Sequence, residues 1–347
     1  MSNKRIYAFD AVKFTAAICI IFHHYQAVLN VQFERFNFDN GTFYFGYLVE
    51  LFFIVSGFLA ASGIPKIGVS ETFGPFLMKR CIRLLPINIL AATIHIFVIY
   101  LSYGSFHIWG WVVSAFGLFA LDPSFAVYGV NPPCWYVSTL LLCSICFYII
   151  TCWSKRNNLP LPWIYAAVVL LGLLIQLNRW NFPMINSFIG RGLFAFFIGL
   201  IVRHVGCNTT SLKLPLFAVG VVLSFAILYI LDPSLISEGF SYLLTLFVYP
   251  SLVILCTSPL CHKLFCCSLF PLLGEVSFGM YLLHTPMIFL LSYINSRYAL
   301  DIPFGSRIFM ILFAFGILLI SFVSLFMIER PVTKKLLTLL EQTSRIS

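Results

Sequence analysis

Long apolar stretches separated by short polar or turn-rich segments set the pattern of this chain. A helix needs about 20 residues to cross a hydrocarbon core of about 30 Å. On that basis the pattern predicts about ten spans, at residues 9–30, 43–63, 84–103, 134–153, 162–178, 187–203, 214–231, 240–258, 272–294 and 306–328. The stretch 107–121 is apolar but short, and reads as interfacial or re-entrant rather than as a further span. The segment 103–133 carries no Lys or Arg and is rich in Gly, Pro and aromatics, a composition able to roof a cavity. The expected fold class is all-α, a polytopic transmembrane helix bundle forming one domain over residues 1–347.

Composition agrees. The chain is 61% hydrophobic and 10% charged, against about 45–50% and about 25% in soluble domains. Its mean hydropathy is +0.98. The net charge of +9 matters through its placement, so nucleic acid is not an expected partner; membrane lipids are. Lys79, Arg80, Arg83, Lys155, Arg156, Arg330, Lys334 and Lys335 fall on one side of the span map, against Arg35, Arg179, Arg297 and Arg307 on the other. That bias predicts that both termini are cytoplasmic. No cleavable signal peptide is read at the N-terminus, because the first apolar run is too long and holds charges. The 11 cysteines show no framework spacing and are expected to be reduced and buried. Cys261, His262, Cys266 and Cys267 superficially resemble metal ligands but lack paired spacing, so no metal is expected.

The first predicted span carries Asp10, Lys13, His23 and His24. Ionisable side chains inside a span are costly and mark function by default. Eleven residues separate Lys13 from His24, roughly three turns plus about 20°, so the two share one face about 16 Å apart. His23 points roughly 80° away. A neutral imidazole suits a general base, and Lys13 suits either an anionic ligand or a bond to Asp10. The same residues also suit plain interhelical hydrogen bonding, and both readings stay open at this point. In the second span Glu50 should face protein or water, and Ser56-Gly57 permits close approach of a helix or a ligand. The sequence FLMKRCIRLLP reads as a loop before the third span, with Lys79, Arg80 and Arg83 grouped there. Arginine forks suit phosphates, although such charges also set topology. Ser277, Tyr281 and His284 follow i, i+4, i+7 spacing on one helix face, about one turn from Glu275. Arg191 is a buried cation that can pair with Glu50 or Glu275.

Several of these stretches together resemble the integral-membrane acyltransferase 3 family, bacterial enzymes that O-acylate surface polysaccharides and other extracytoplasmic acceptors. The matching residues are Lys13 and His24 with the HH doublet, Glu50 to Phe58, Lys79 to Arg83, Trp135-Tyr136, and Ser277 to His284. Lys13 stands where Arg is commoner, and Ser138 and Thr139 occupy the region where many members carry a Glu. The resemblance implies a short acyl group, acetyl first, drawn from cytoplasmic acyl-CoA as co-substrate, with no permanently bound cofactor. It implies His24 as the catalytic residue, with Lys13 and Glu50 beside it, and Arg80, Arg83 and Lys79 as donor contacts. His23, Asp10, Ser56, Trp135, Tyr136, Arg191, Tyr281 and His284 are then substrate or structural supports. The implied acceptor is a glycan or lipid-linked glycan at the bacterial inner membrane. A transporter or flippase of glycans or small anions, or a non-catalytic polysaccharide-assembly subunit, is the alternative.

Overall fold

The apolar stretches are helices, and no β-strand occurs among the described residues. The computed structural model describes residues 5–34, 37–39, 44–105, 107–208, 213–231 and 238–343. Arg35 and both chain ends therefore lie outside the described residues. The helices are α1 (Tyr7–Leu29), α2 (Leu48–Ala60), α3 (Phe73–Tyr103), α4 (Ile108–Ala115), α5 (Phe125–Tyr128), α6 (Cys134–Arg156), α7 (Leu161–Leu177) and α8 (Ser187–Asn208). They continue as α9 (Lys213–Leu231), α10 (Glu238–Leu243), α11 (Tyr249–Cys256), α12 (Pro259–Leu264), α13 (Leu269–Tyr298), α14 (Arg307–Ser324) and α15 (Arg330–Thr343). Wider π-helical turns at Leu244–Val248 and Leu325–Glu329 join α10 to α11 and α14 to α15.

Among the described residues, 7 helices are long and apolar enough to cross a membrane, and this is a multi-pass membrane protein. Leu161–Leu177, Pro215–Ile227 and Ser241–Cys256 are apolar but shorter, and they lie where the other expected spans were placed. Helix ends follow local chemistry. Asn30 leaves α1 in the left-handed region at φ 51°, and Gly104 does the same for α3 at φ 70°, conformations that Asn and Gly tolerate best. The Ser306 hydroxyl caps α14 by accepting from the Phe309 N–H.

Three expectations need correction. The segment FLMKRCIRLLP is not a loop: α3 begins at Phe73 and runs through Pro86, so Lys79, Arg80 and Arg83 sit on helix. Its residues are good helix formers, and the next proline stands far enough in for the first turns to form without it. The last span does not stop near residue 328, because the helix passes through the π-helical turn into amphipathic α15. The cysteines are not uniformly buried; Cys266 and Cys267 are exposed, while Cys134, Cys143 and Cys256 are buried.

The segment 103–133 folds onto the flank of α3 and α6. Asn88 donates to the carbonyls of Ser114 and Ala115, at 2.7 and 2.9 Å. The Ser138 hydroxyl accepts from the Ala120 N–H at 3.0 Å, and Asn131 donates to the Leu282 carbonyl at 3.2 Å. Backbone groups that a membrane cannot hydrate are satisfied here by side chains of the bundle.

Three close helix pairings hold the interior. α1 lies along α13, α2 lies along α8, and α7 lies along α8. At the second crossing a Cβ on Gly57 would overlap the Phe196 carbonyl, and one on Gly199 would overlap the Ile54 carbonyl. Small residues let these two backbones touch, which is how spans associate where water supplies no driving force.

Candidate functional site

Asp10, Lys13 and His24 share the face of α1 that meets α13, in keeping with the Lys13–His24 spacing, while His23 turns toward Phe38 and Tyr44. The polar residues of α1 do different things at its two ends. Near the start of α1 an ionic chain forms. Lys13 Nζ lies 2.9 Å from Asp10 Oδ1, and Arg5 Nε lies 2.7 Å from Asp10 Oδ2. Arg5 Nη1 reaches Glu275 at 2.9 Å, and Arg330 reaches the other Glu275 oxygen at 2.6 Å. Burial alone would lower the Arg5 pKa, but its bonds to Asp10 and Glu275 hold it above the ordinary value. Gly274 gives the Asp10 carboxylate its room, since a Cβ there would strike it.

This cluster lines one side of a cavity of about 950 Å³. Lys13, Arg5, Lys79, Arg80, Arg83, Arg330 and Lys334 supply positive charge to its wall, against Glu71, Glu275, Glu329 and Glu341. Lys79 is paired with Glu71 at 2.9 Å. Arg80 lies over the Phe76 ring at 4.6 Å, and neither Arg80 nor Arg83 has a carboxylate partner among the described residues. One turn apart on α3, these two guanidiniums are open to an anion from the cavity. No described residue of 103–133 lines this cavity.

Deeper in, the cavity wall is formed by Phe52, Ser56, Tyr136 and Tyr281. Ser56 Oγ lies 3.4 Å from the Tyr136 hydroxyl. The Ser56-Gly57 pair thus does both jobs its composition allows, Ser56 facing the cavity and Gly57 facing α8.

His24, His284, Glu50, Arg191 and Trp135 stand apart from the cavity lining. The His24 and His284 ring centroids are 5.0 Å apart, and Tyr281 is 6.0 Å from His284. His284 is fully buried. The Met280 carbonyl lies 3.3 Å from its Nδ1, and Thr285 Oγ1 lies 3.1 Å from its Nε2. A carbonyl only accepts, so Nδ1 carries the hydrogen and Nε2 accepts from the threonine hydroxyl. His23 is held too, its Nδ1 3.0 Å from the Phe38 carbonyl and 3.4 Å from Asp39 Oδ1. His24 is half-buried, and among the described residues no hydrogen bond holds its ring. Of the three imidazoles, His24 alone has both ring nitrogens free of a hydrogen bond among the described residues; His23 is tethered through Nδ1 and His284 through both nitrogens.

Glu50 belongs to a separate pair. Arg191 Nε and Nη2 bond its two oxygens at 2.6 and 2.9 Å, and Nη2 also donates to the Gly46 carbonyl at 3.1 Å. The same guanidinium lies 4.8 Å from the Trp135 ring. Of the two partners that the sequence allowed Arg191, the fold selects Glu50 and gives Glu275 to Arg5 and Arg330. Ser138 and Thr139 do not line the cavity; Ser138 ties down Ala120, and the buried Thr139 hydroxyl has no partner among the described residues.

Sequence reasoning missed Arg5, Arg330 and Lys334 as wall residues. Each lies at a span end, where a basic residue reads as a topology signal. The nearest hint was Glu275, an acid about one turn from the group Ser277, Tyr281 and His284 that needed a cation.

No curated protein and no solved structure matches this chain. A family profile described as an acyltransferase domain matches residues 6–326, from the start of α1 into the turn after α14. With nearly its whole length inside that match, the chain belongs to the acyltransferase 3 family and is a membrane acyltransferase.

Proposed function

We propose that the protein is an O-acyltransferase of the bacterial inner membrane. It moves an acetyl or other short acyl group from cytoplasmic acyl-CoA to a hydroxyl of an extracytoplasmic glycan, lipid-linked or nascent. The observation that carries this reading is a division of the site. A cationic cavity with two uncommitted arginines lies on one side of a set of aromatic rings, and an uncommitted imidazole lies on the other.

The cavity suits a donor that carries phosphates on a long arm. Arg80 and Arg83 hold the phosphates, with Lys79 beside them, and Lys13 adds positive charge while Asp10 orients it. Charge-assisted bonds of this kind are about twice as strong as neutral ones. The excess of Lys and Arg on this side of the span map supports a cytoplasmic mouth. The thioester end then points toward Tyr281 and the histidines.

His24 acts as general base. Its neutral ring takes the proton of the acceptor hydroxyl as that oxygen attacks the thioester carbonyl. The C–O bond forms, the C–S bond breaks, and the imidazolium returns the proton to the departing thiolate. His23 and His284 position the reacting ring. The Glu50–Arg191 pair fixes α2 against α8 behind it.

Liposomes carrying the purified protein, supplied with acetyl-labelled acetyl-CoA and lipid-linked glycan extracted from the host, test this. Label recovered as alkali-labile ester on the glycan is the expected result. Accumulation of glycan or anion across the bilayer with no ester formed would overturn the reading in favour of a transporter. Neither ester nor accumulation would leave an assembly subunit.

A further inference from the structure

The last helix forms a wall of the cavity. α15 follows α14 through the π-helical turn and begins at Arg330, past residue 326 where the family match ends. Arg330, Thr333, Lys334, Leu337, Thr338 and Glu341 line the cavity. At about 100° per residue they fall within an arc of roughly 140°, one face of the helix. Val332, Leu336 and Leu339 are exposed on the opposite face, a division suited to a helix at the membrane interface. The helix is tied to α13 and to α3. Arg330 reaches Glu275 of α13 at 2.6 Å, and the Thr333 hydroxyl donates to the Ile82 carbonyl of α3 at 3.4 Å.

The second tie sets a register. Ile82 stands between Arg80 and Arg83 in the chain, and Thr333 immediately precedes Lys334. The Lys334 ammonium and the two guanidiniums therefore border the same part of the cavity from two walls. Other cations of the lining are engaged: Arg5 and Lys13 by Asp10, Arg330 by Glu275, and Lys79 by Glu71. Lys334, like Arg80 and Arg83, has no carboxylate partner among the described residues. Arg80 and Arg83 lie one turn apart on α3, spaced for two phosphates that share a bridging oxygen. Lys334, a compact point charge on the facing helix, is left for an anion that branches from that pair.

We propose that Lys334 binds the 3′-phosphate of coenzyme A and makes the protein select a 3′-phosphorylated donor. The inference rests on the acyl-CoA reading above and goes beyond it, because a pyrophosphate site alone would accept a donor lacking that phosphate. Coenzyme A carries a pyrophosphate and, on the adjoining ribose, a phosphomonoester of about −1.5 to −2 charge. Arg80 and Arg83 take the first and Lys334 the second, so the cavity cations without a carboxylate partner meet the donor's phosphates. A charge-assisted bond to that monoester is worth roughly ten-fold or more in affinity.

The test measures binding of coenzyme A and of 3′-dephospho-coenzyme A to the purified full-length protein by calorimetry, which needs no acceptor. Wild type is expected to bind coenzyme A roughly ten-fold or more tightly than the dephospho form. Lys334→Ala is expected to weaken coenzyme A alone, bringing the two affinities together. Lys334→Arg should keep most of the preference, since it keeps the charge. Arg80→Ala should weaken both ligands and keep their ratio. The proposal is overturned if wild type binds both equally, if Lys334→Ala keeps the preference, or if Arg80→Ala abolishes it as fully as Lys334→Ala does. Should Lys334→Ala fail to melt cooperatively, Lys334→Gln is judged by the same ratio. A wild type that binds neither ligand would overturn the acyl-CoA reading itself, whereas equal binding of both overturns only the role of Lys334.

Discussion

Arg191 grips Glu50 by two parallel hydrogen bonds, 2.6 and 2.9 Å long, between α8 and α2. Glu50 is buried, while the Arg191 side chain keeps 25% of its surface exposed. Removing one partner of a buried pair strands the other, at a cost of about 3–5 kcal/mol, and the partial exposure of Arg191 argues for the lower end. Glu50→Ala should therefore lower the thermal midpoint in detergent markedly. Arg191→Lys should lower it too, because an ammonium cannot form the fork. The double variant Glu50→Leu with Arg191→Met should recover much of the lost stability. A single variant as stable as wild type would show that the pair is not structural.

The crossing of α2 and α8 depends on Gly57 and Gly199. Gly57→Ala places a methyl against the Phe196 carbonyl, which belongs to backbone and cannot rotate away. Overpacking of this kind costs about 1–3 kcal/mol. The expected result is a lower melting midpoint and weakened transfer, because the same displacement moves Glu50 and Ser56. Gly206→Ala, where a Cβ would meet open space, is the control and should leave the midpoint unchanged.

Arg80 and Arg83 are the cavity arginines without an acidic partner among the described residues. Each hydrogen bond to a charged group is worth about 1.5–3 kcal/mol. Arg80→Ala or Arg83→Ala should raise KM for acetyl-CoA by roughly ten-fold or more, with kcat much less changed. Added salt should raise the wild-type KM in the same direction. A fall in kcat with KM unchanged would place these residues outside donor binding.

Part of this site was legible in the residues themselves. The Lys13–His24 spacing put both side chains on one face of α1, and that face does meet α13. The i, i+4, i+7 pattern likewise brought Ser277 and Tyr281 to the cavity and His284 to His24. Spacing works there because a helix is locally determined. It could not decide between Glu50 and Glu275 as the partner of Arg191, because that choice depends on which helices the glycines of α2 and α8 let touch. Nor could it bring Arg5 and Arg330 to one carboxylate from opposite ends of the chain. The start of α3 was misplaced for a related reason. Apolar runs mark where helices cross lipid, and a helix that continues past the membrane surface carries no such mark.

His24, whose ring no hydrogen bond holds among the described residues, is proposed to perform the proton transfer. The direct measurement compares acetyl transfer from labelled acetyl-CoA to host glycan by wild type, His24→Ala and His23→Ala, each purified and matched for amount and thermal midpoint. General-base catalysis contributes about 10²–10⁴-fold. The account predicts a loss of that order in kcat for His24→Ala and a smaller loss for His23→Ala. Full transfer by a folded His24→Ala protein would contradict it.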